Sequence, residues 1–284
     1  AGEPDFDTPD FIKDAAIKAI QDGFTKYTAV AGTASLRQAI ISKFQADNGL
    51  DYGIDEVMVS VGGKQCIFNL CLAILEAGDE VVIPAPYWVS YTDIVQLTGA
   101  KPVIVSCDIN QNFKITPTQL DQSITNATKL VFLNSPSNPT GAVYSKSELR
   151  SLADILLKHP HVYIGTDDIY EHINLGDNRF YNILMVEPKL KDRVIVLNGV
   201  SKAYSMTGWR IGYAAGPKAI ISAMSKLQSQ STSNPTSISQ VAAEAALRGN
   251  KDCIVPMVKA FKERHAYVLQ ALNDIDGLKC IPAE

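Results

Sequence analysis

Short apolar runs alternate with longer segments of helical periodicity through most of the chain. Runs rich in valine, isoleucine and leucine that end in glycine, asparagine or proline are typical of buried strands. The segment 147–158 places Leu149, Leu152, Ile155 and Leu156 on one helical face. The pattern predicts strands at 57–61, 80–83, 102–106, 129–133, 161–165, 194–197 and 211–215, and helices at 64–75, 88–97, 118–124, 147–158, 236–247 and 255–272.

This alternation predicts an α/β fold class with a mostly parallel sheet flanked by helices. Strands that are apolar throughout are buried on both faces, which requires helices on each side of the sheet. No run of about 18 apolar residues occurs, so the pattern predicts no membrane-spanning helix. The polar segment 229–235 is expected to join two helices, and no tandem repeat is visible.

Composition narrows the function classes. The 284 residues are 46% hydrophobic with a net charge of −4, which supports a sizeable core and favours neither a nucleic-acid nor a membrane partner. The five cysteines are scattered without a Cys-x-x-Cys pair or a nearby histidine cluster. We therefore expect no metal site, no disulfide framework and a cytoplasmic location.

Lys202 is the most informative candidate for chemistry. It follows the predicted strand 194–197 and the Asn198-Gly199 turn, and it precedes the apolar run 211–215. Ligand crevices of α/β sheets form just beyond the carboxyl ends of strands. An amine that is partly removed from water there, close to a cation such as Arg210, loses proton affinity and becomes a nucleophile toward carbonyl groups.

Other polar residues follow other predicted strands. Asp167 comes after the strand 161–165, where a turn or helix cap would also explain it. Asn138 stands in Asn-Pro-Thr-Gly, which is itself a turn signal. Gly62-Gly63-Lys64 joins a strand to a helix, and glycines and free N–H groups at such a place favour the binding of an anion. The dinucleotide and Walker A glycine motifs are absent.

Six motifs occur in an order that resembles one known family. They read Ala-Gly-Glu-Pro-Asp-Phe-Asp-Thr-Pro, Val-Gly-Gly-Lys-Gln, Pro-Tyr-Trp-Val-Ser-Tyr, Asn-Pro-Thr-Gly, Thr-Asp-Asp-Ile-Tyr and Ser-Lys-Ala-Tyr-Ser-Met-Thr-Gly-Trp-Arg. Over nearly the whole chain they resemble the pyridoxal-phosphate aminotransferases of fold type I, most of all bacterial aspartate aminotransferases. The resemblance implies a large cofactor domain at 12–248 and an incomplete small domain at 1–11 and 249–284. We expect the chain to be part of a longer protein.

The resemblance assigns cofactor roles to residues of this chain. Lys202 carries the pyridoxal phosphate and moves protons, and Asp167 faces the pyridine nitrogen. Asn138 and Tyr170 bind the phenolic oxygen, while Gly63, Lys64 and Arg210 belong to the phosphate site. Asp168 stands where relatives have glutamate. By the same resemblance, Trp88 stacks on the cofactor ring, and Trp88 and Asn138 contact the substrate. Tyr27 reaches the neighbouring subunit of a homodimer. Gly2 contacts the substrate carboxylate.

The resemblance leaves the substrates open. It implies transamination between an acidic amino acid, aspartate first, and 2-oxoglutarate. The segment 228–231 lacks the arginine that some relatives direct at the distal carboxylate, and Lys64 is the expected replacement. The arginine for the other carboxylate is expected beyond Glu284. Alternatives are an aminotransferase for prephenate or for aromatic or neutral amino acids, a carbon–sulfur β-lyase, and a non-catalytic regulatory domain that binds the cofactor.

Overall fold

The computed structural model describes residues 2–176 and 179–284. One mixed sheet of seven strands forms the centre of the protein. The strands are β1 Val57–Ser60, β2 Glu80–Ala85, β3 Lys101–Ser106, β4 Thr128–Asn134, β5 Tyr163–Asp167, β6 Val194–Gly199 and β7 Gly212–Ala215. Their order is β1-β7-β6-β5-β4-β2-β3. The five strands from β6 to β3 are parallel, whereas β7 pairs antiparallel with both β1 and β6.

Helices cover both faces of this sheet. The α-helices are α1 Asp10–Gln21, α2 Ala34–Lys43, α3 Gly63–Ile74, α4 Ser90–Leu97, α5 Pro117–Ser123, α6 Lys146–Lys158, α7 Ile183–Val186, α8 Lys218–Gln230, α9 Ser237–Arg248 and α10 Ile254–Asn273. A π-helical turn, Phe44–Asn48, continues α2. Short 3-10 turns lie at Ile54–Glu56, Ile109–Gln111, Pro188–Arg193, Thr207–Trp209 and Lys251–Cys253. No helix of the described residues is both long and apolar enough to cross a bilayer.

Alternate residues of the strands enter two separate hydrophobic cores. Val57 and Val59 of β1 join one core, which includes side chains of α2, α6 and α9, whereas Met58 joins the other, which includes α3, α4 and α8. Successive strand side chains point to opposite faces, so this division is what a sheet buried on both sides requires. The predicted α/β fold class is confirmed.

Local sequence signals explain where several helices begin. Ser145 accepts a hydrogen bond from the Glu148 backbone N–H, and the Glu148 side chain accepts one from the Ser145 backbone, which forms a capping box at α6. Thr116 and Gln119 form the same arrangement at α5.

The division into a large domain at 12–248 and a small domain at 1–11 and 249–284 stays a prediction. The last helix, α10, buries only Ile254 and Met257.

Candidate active site

A cavity of about 370 Å³ opens where β4, β5 and β6 end. Every site residue predicted from the sequence except Tyr27 lines it. The lining consists of Gly2, Glu3, Gly63, Lys64, Ile67, Trp88, Tyr91, Asn134, Asn138, Asp167, Ile169, Tyr170, Leu197, Asn198, Ser201, Lys202, Thr207 and Arg210. These residues come from sequence positions 2 to 210, and the parallel strands bring them to one edge of the sheet.

Lys202 lies in the turn that follows β6, as predicted. Its Nζ donates a hydrogen bond to the Gly2 carbonyl oxygen at 2.6 Å and lies 5.9 Å from the centre of the Tyr170 ring. Partial burial lowers the pKa of this amine, Glu3 opposes that effect, and Arg210 lowers the pKa further. The loss of water and the neighbouring guanidinium both disfavour the charged form, so the neutral amine that nucleophilic and base chemistry needs is more accessible.

Asp167 is the last residue of β5, and not two residues beyond it as the predicted strand 161–165 implied. The strand extends further because Asp167 still pairs in register with Asn134 of β4 and Leu197 of β6. The Asp167 Oδ2 atom accepts a hydrogen bond from the Tyr91 hydroxyl at 2.7 Å, and Oδ1 accepts one from the Ile169 N–H at 3.3 Å. Burial raises the pKa of this carboxyl, while the two hydrogen bonds lower it.

Asp168 is directed into the structure behind the cavity. Its carboxylate accepts hydrogen bonds from the Thr166 hydroxyl and the Asn182 side-chain amide, each at 2.7 Å, and the residue is 1% exposed. Burial, followed by the charge of Glu171, raises the pKa of Asp168 well above its usual range. The two adjacent aspartates therefore have different surroundings, and only Asp167 lines the cavity.

The turn before α3 and the side chain of Arg210 form one basic corner of the cavity. Gly62 has a φ of +87°, and a Cβ at this position would collide with the Arg210 guanidinium. A Cβ on Gly212 would collide with the Gly63 backbone in the same way. Arg210 itself adopts a left-handed conformation with a φ of 57°, and its Nη1 donates to the Thr207 carbonyl oxygen at 3.0 Å. These close approaches place a guanidinium beside the free N–H groups of a helix amino end, which suits a phosphate.

Aromatic and amide side chains form the walls of the cavity. The Trp88 ring lies 4.9 Å from the Lys64 Nζ atom. The pKa of the Tyr170 hydroxyl is raised by burial and by Asp167, whereas a hydrogen bond with the Asn138 side chain lowers it. Asn138 is held in turn because its backbone N–H donates to the Asn134 Oδ1 atom at 2.7 Å. The predicted pair Asn138 and Tyr170 is therefore brought together.

Six polar residues of the cavity lining were not predicted as site residues, namely Glu3, Tyr91, Asn134, Asn198, Ser201 and Thr207. Tyr91 bonds to Asp167, Asn134 donates from its Nδ2 to the Asp167 carbonyl oxygen at 2.8 Å, and Ser201 lies beside Lys202. A sequence signal existed for Tyr91, Asn134 and Ser201. Tyr91 stands three residues after Trp88 near the start of a helix, Asn134 ends a strand, and Ser201 opens the lysine motif.

Tyr27 is not brought to this cavity. It lies after α1, and its side chain is 92% exposed. The nearby apolar side chains Ile17, Ile20 and Phe24 are exposed as well. Tyr27 does not line the cavity of this chain, and its role across a subunit boundary stays a prediction.

A second polar cluster lies outside the lining of the cavity. The acidic and imidazole ligand atoms of Asp47, Glu171 and His172 approach one another closely enough to hold a cation. However, Lys43 forms an ion pair with Glu171, and Lys251 forms one with Asp47. Two ammonium groups already balance these carboxylates, so the cluster is an internal ion-pair network.

The residues present fit pyridoxal phosphate. Asp167 is a buried carboxylate at a cavity wall whose hydrogen-bond donors among the described residues, Tyr91 and Ile169, are both neutral. Such a group is complementary to a protonated ring nitrogen. The basic corner with Gly63 and Arg210 suits the phosphate, and the Lys202 amine suits the aldehyde. The fold and the site together define a pyridoxal-phosphate enzyme of the α/β class.

Comparison with known proteins specifies the class further. The sequence profile of the family "Aminotransferase class I and II" matches residues 1–284, and the chain belongs to this family. It is 60% identical to the aspartate/prephenate aminotransferase of Nitrosomonas europaea over its whole length and 72% of that protein. It is 54% identical to an aspartate aminotransferase of Rhizobium meliloti, covering 99% of this chain and 68% of that protein. Enzymes of this family use pyridoxal phosphate, so the predicted aminotransferase activity and cofactor are confirmed.

Solved structures agree with this family. The crystal structure of the Rhizobium meliloti aspartate aminotransferase matches with a TM-score of 0.99 and 52% identity, covering 100% of this chain and 71% of that chain. The Thermus thermophilus aspartate aminotransferase with maleate matches with a TM-score of 0.89 and 42% identity, covering 96% of this chain and 70% of that chain. An aromatic aminotransferase from Pyrococcus horikoshii matches with a TM-score of 0.96 and 36% identity, covering 100% and 76% of the two chains.

Proposed function

We propose that this aminotransferase transfers the amino group of aspartate to 2-oxoglutarate, with Lys202 and Asp167 as its central residues. The observation that carries the proposal is that a partly buried amine and a buried carboxylate line one cavity at the strand ends. The names of the relatives at 60% and 54% identity, and of the structure with maleate, a dicarboxylate, support an acidic substrate.

The bound cofactor supplies an aldehyde that takes up the amino group and a ring that withdraws electrons from the substrate Cα. Lys202 would hold the cofactor and, once its amine is free, would take the proton from the Cα of the amino donor and, in the second half of the reaction, deliver a proton to the Cα of the amino acid formed from the 2-oxo acid. Asp167 keeps the proton on the ring nitrogen, and Asn138 and Tyr170 bind the phenolic oxygen. The backbone N–H groups of Gly63 and Lys64 and the Arg210 guanidinium would bind the phosphate, while Trp88 would cover the ring and exclude water.

Lys64 is proposed to select for a distal carboxylate. Gln228, in the segment where some relatives have an arginine, is 0% exposed. Its Nε2 donates to the Val30 and Val59 carbonyl oxygens, and its Oε1 accepts from Asn69. Gln228 is therefore unable to reach a substrate. Among the described residues that line the cavity, the cations are Lys64, Lys202 and Arg210, and the latter two serve the cofactor.

Replacing Lys64 with serine is expected to lower kcat/KM for aspartate about fivefold relative to alanine or phenylalanine, since a partly exposed ion pair contributes about 1 kcal/mol. Amino-donor profiling with 2-oxoglutarate as the acceptor measures this ratio and also tests the proposed substrate. Lys146→Ser is the matched control, because Lys146 also opens a helix and lies 5.7 Å from an aromatic ring, Tyr181, but outside the cavity. Equal losses for acidic and neutral donors would contradict the specificity role.

Prephenate is a second amino acceptor to be tested beside 2-oxoglutarate. The name of the Nitrosomonas europaea relative joins aspartate with prephenate, and so do the names of relatives from Rickettsia. Prephenate also carries two carboxylates, so the same cation at Lys64 would suit it. Transfer from aspartate or glutamate to prephenate, followed by the appearance of the aminated product, measures this activity directly.

We propose that the enzyme acts as a homodimer in which Tyr27 completes the phosphate site of the neighbouring subunit. The exposed Tyr27 ring and the exposed apolar side chains of the neighbouring helix α1 support this arrangement. A phenol hydroxyl that reaches a phosphate donates a charge-assisted hydrogen bond. We also propose a cytoplasmic location, which is supported by five free cysteines.

Mixing Tyr27→Ala protein with Lys202→Ala protein tests the exchange of Tyr27. Each hybrid dimer would contain one site with both an intact Lys202 and an intact Tyr27. After subunit exchange, activity should rise to about one quarter of the wild-type value, because random pairing makes half of the dimers hybrid with one intact site each. If Tyr27 served its own chain, the hybrid would contain no intact site, and mixing would restore nothing.

A further inference from the structure

Tyr91 lies directly behind the carboxylate of Asp167. Its hydroxyl donates to Oδ2 at 2.7 Å, while the other oxygen, Oδ1, accepts a longer bond of 3.3 Å from the Ile169 backbone. Tyr91 is 2% exposed, so no bulk water replaces its hydroxyl. Tyr91 is the side chain that donates the shorter of these two hydrogen bonds to Asp167.

The ring of Tyr91 is fixed on both sides. It stacks on Phe132 with a centroid distance of 4.8 Å and an interplanar angle of 16°, and it makes a T-shaped contact with Trp88 at a centroid distance of 5.6 Å and an angle of 90°. It also lies in the first turn of α4, which limits its rotamers. A ring held in this way directs its hydroxyl to one point, and that point is the Asp167 carboxylate.

We propose that Tyr91 is a positioning residue whose hydroxyl orients the Asp167 carboxylate and keeps it ionised for the ring nitrogen of pyridoxal phosphate; this rests on the proposed role of Asp167. A hydrogen bond to the charged form of an acid favours that form, and here it opposes the effect of burial. A tyrosine suits this task because it is neutral. A lysine or arginine in its place would neutralise Asp167 and compete with the ring nitrogen for it.

The contacts of Tyr91 also connect two walls of the cavity. Trp88, which is proposed to cover the cofactor, makes a T-shaped contact with the Tyr91 ring, whose hydroxyl holds Asp167. Burial, and next the charge of Asp167, raises the pKa of the Tyr91 hydroxyl well above its usual range. The hydroxyl therefore remains a donor throughout the working pH range, and it does not exchange its proton with the carboxylate.

Tyr91→Phe removes the hydroxyl and keeps the ring between Phe132 and Trp88. We expect the carboxyl pKa of Asp167 to rise in the protein without cofactor, as followed by ¹³C NMR with Asp167→Asn for assignment. Affinity for pyridoxal phosphate and kcat should each fall about tenfold or more, since a hydrogen bond to a charged group contributes that much, while KM for aspartate stays within about twofold.

Tyr144→Phe is the matched control for the loss of a buried hydroxyl. The Tyr144 hydroxyl accepts a hydrogen bond from the Ile115 N–H at 2.9 Å, and Tyr144 does not line the active-site cavity. The Tyr144→Phe variant should lower the thermal stability as Tyr91→Phe does, but it should leave the cofactor affinity and the titration of Asp167 unchanged. An unchanged titration in Tyr91→Phe, or equal changes in both variants, would overturn the proposal.

A double-mutant cycle separates this proposal from the role of Asp167 itself. In the Asp167→Asn background, Tyr91→Phe should cause no further loss of cofactor affinity, because the carboxylate it serves is gone. Full additivity of the two losses would refute the link between Tyr91 and Asp167. If Asp167→Asn alone left cofactor affinity and turnover unchanged, the proposed role of Asp167 would fail, whereas the NMR titration would still report whether Tyr91 holds the carboxylate.

Discussion

Lys202→Ala is expected to reduce transamination by about 100- to 10,000-fold, the range that a general acid–base residue contributes. Burial lowers the pKa of the Lys202 amine, and this residue follows β6, where the strand ends open to the cavity. We expect the alanine variant to keep the fold, because within the described residues the amine makes one hydrogen bond, to the Gly2 carbonyl oxygen, and one contact with the Tyr170 ring.

Steady-state kinetics with aspartate and 2-oxoglutarate, together with a thermal melt, measure this result. Lys146→Ser serves again as a control that removes a lysine outside the cavity. A Lys202→Ala protein that retains more than about a tenth of wild-type kcat would show that another residue moves the proton.

Asp167→Ala is expected to lower kcat by about 100-fold or more, as removal of a preorganised charge from an active site does. Asp168→Ala should lower kcat by less than about tenfold, although it leaves Thr166 and Asn182 without their hydrogen-bond partner and costs about 1 to 3 kcal/mol of folding free energy. Turnover and urea unfolding of both variants distinguish the two roles. A larger loss of turnover in Asp168→Ala than in Asp167→Ala would contradict the assignment.

Much of the fold followed from local pattern. The predicted strands and helices occur with shifted ends, because apolar runs mark buried strands without marking where the backbone ladder stops. The largest such shift concerns β5, which continues to Asp167 through pairing with Asn134 and Leu197. Strand direction is not contained in these patterns either, so the antiparallel placement of β7 became visible only in the structure.

The helices α1, α2 and α7 were not predicted, and α8 was expected without bounds, as the helix that precedes the polar segment 229–235. In α2 the hydrophobic side chains are mixed with polar ones, so no clear apolar face marks it in the sequence. For α1 and α8, the apolar faces are defined by packing against α9 and α3, which are distant in the sequence. Tertiary contacts decided these elements.

In the site, too, some residues are marked by local sequence pattern, whereas others depend on tertiary contacts. Lys202, Asp167, Asn138 and Arg210 stand after strands or beside glycine turns, and motifs at these places predicted that they meet. Tyr91 and the buried ion pair of Lys43 with Glu171 depend on contacts between residues far apart in sequence. The role of Tyr27 depends on a second chain, so neither the sequence nor the structure of one chain tests it.

Lys202 is the residue proposed to hold pyridoxal phosphate. Incubation of the protein with pyridoxal phosphate, reduction with sodium borohydride and peptide mapping by mass spectrometry identify the labelled lysine. We predict a pyridoxyl group on the peptide that contains Lys202, and loss of this label after addition of aspartate before the reduction. A stable label on Lys64 or on any other lysine, with Lys202 unmodified, would contradict the account.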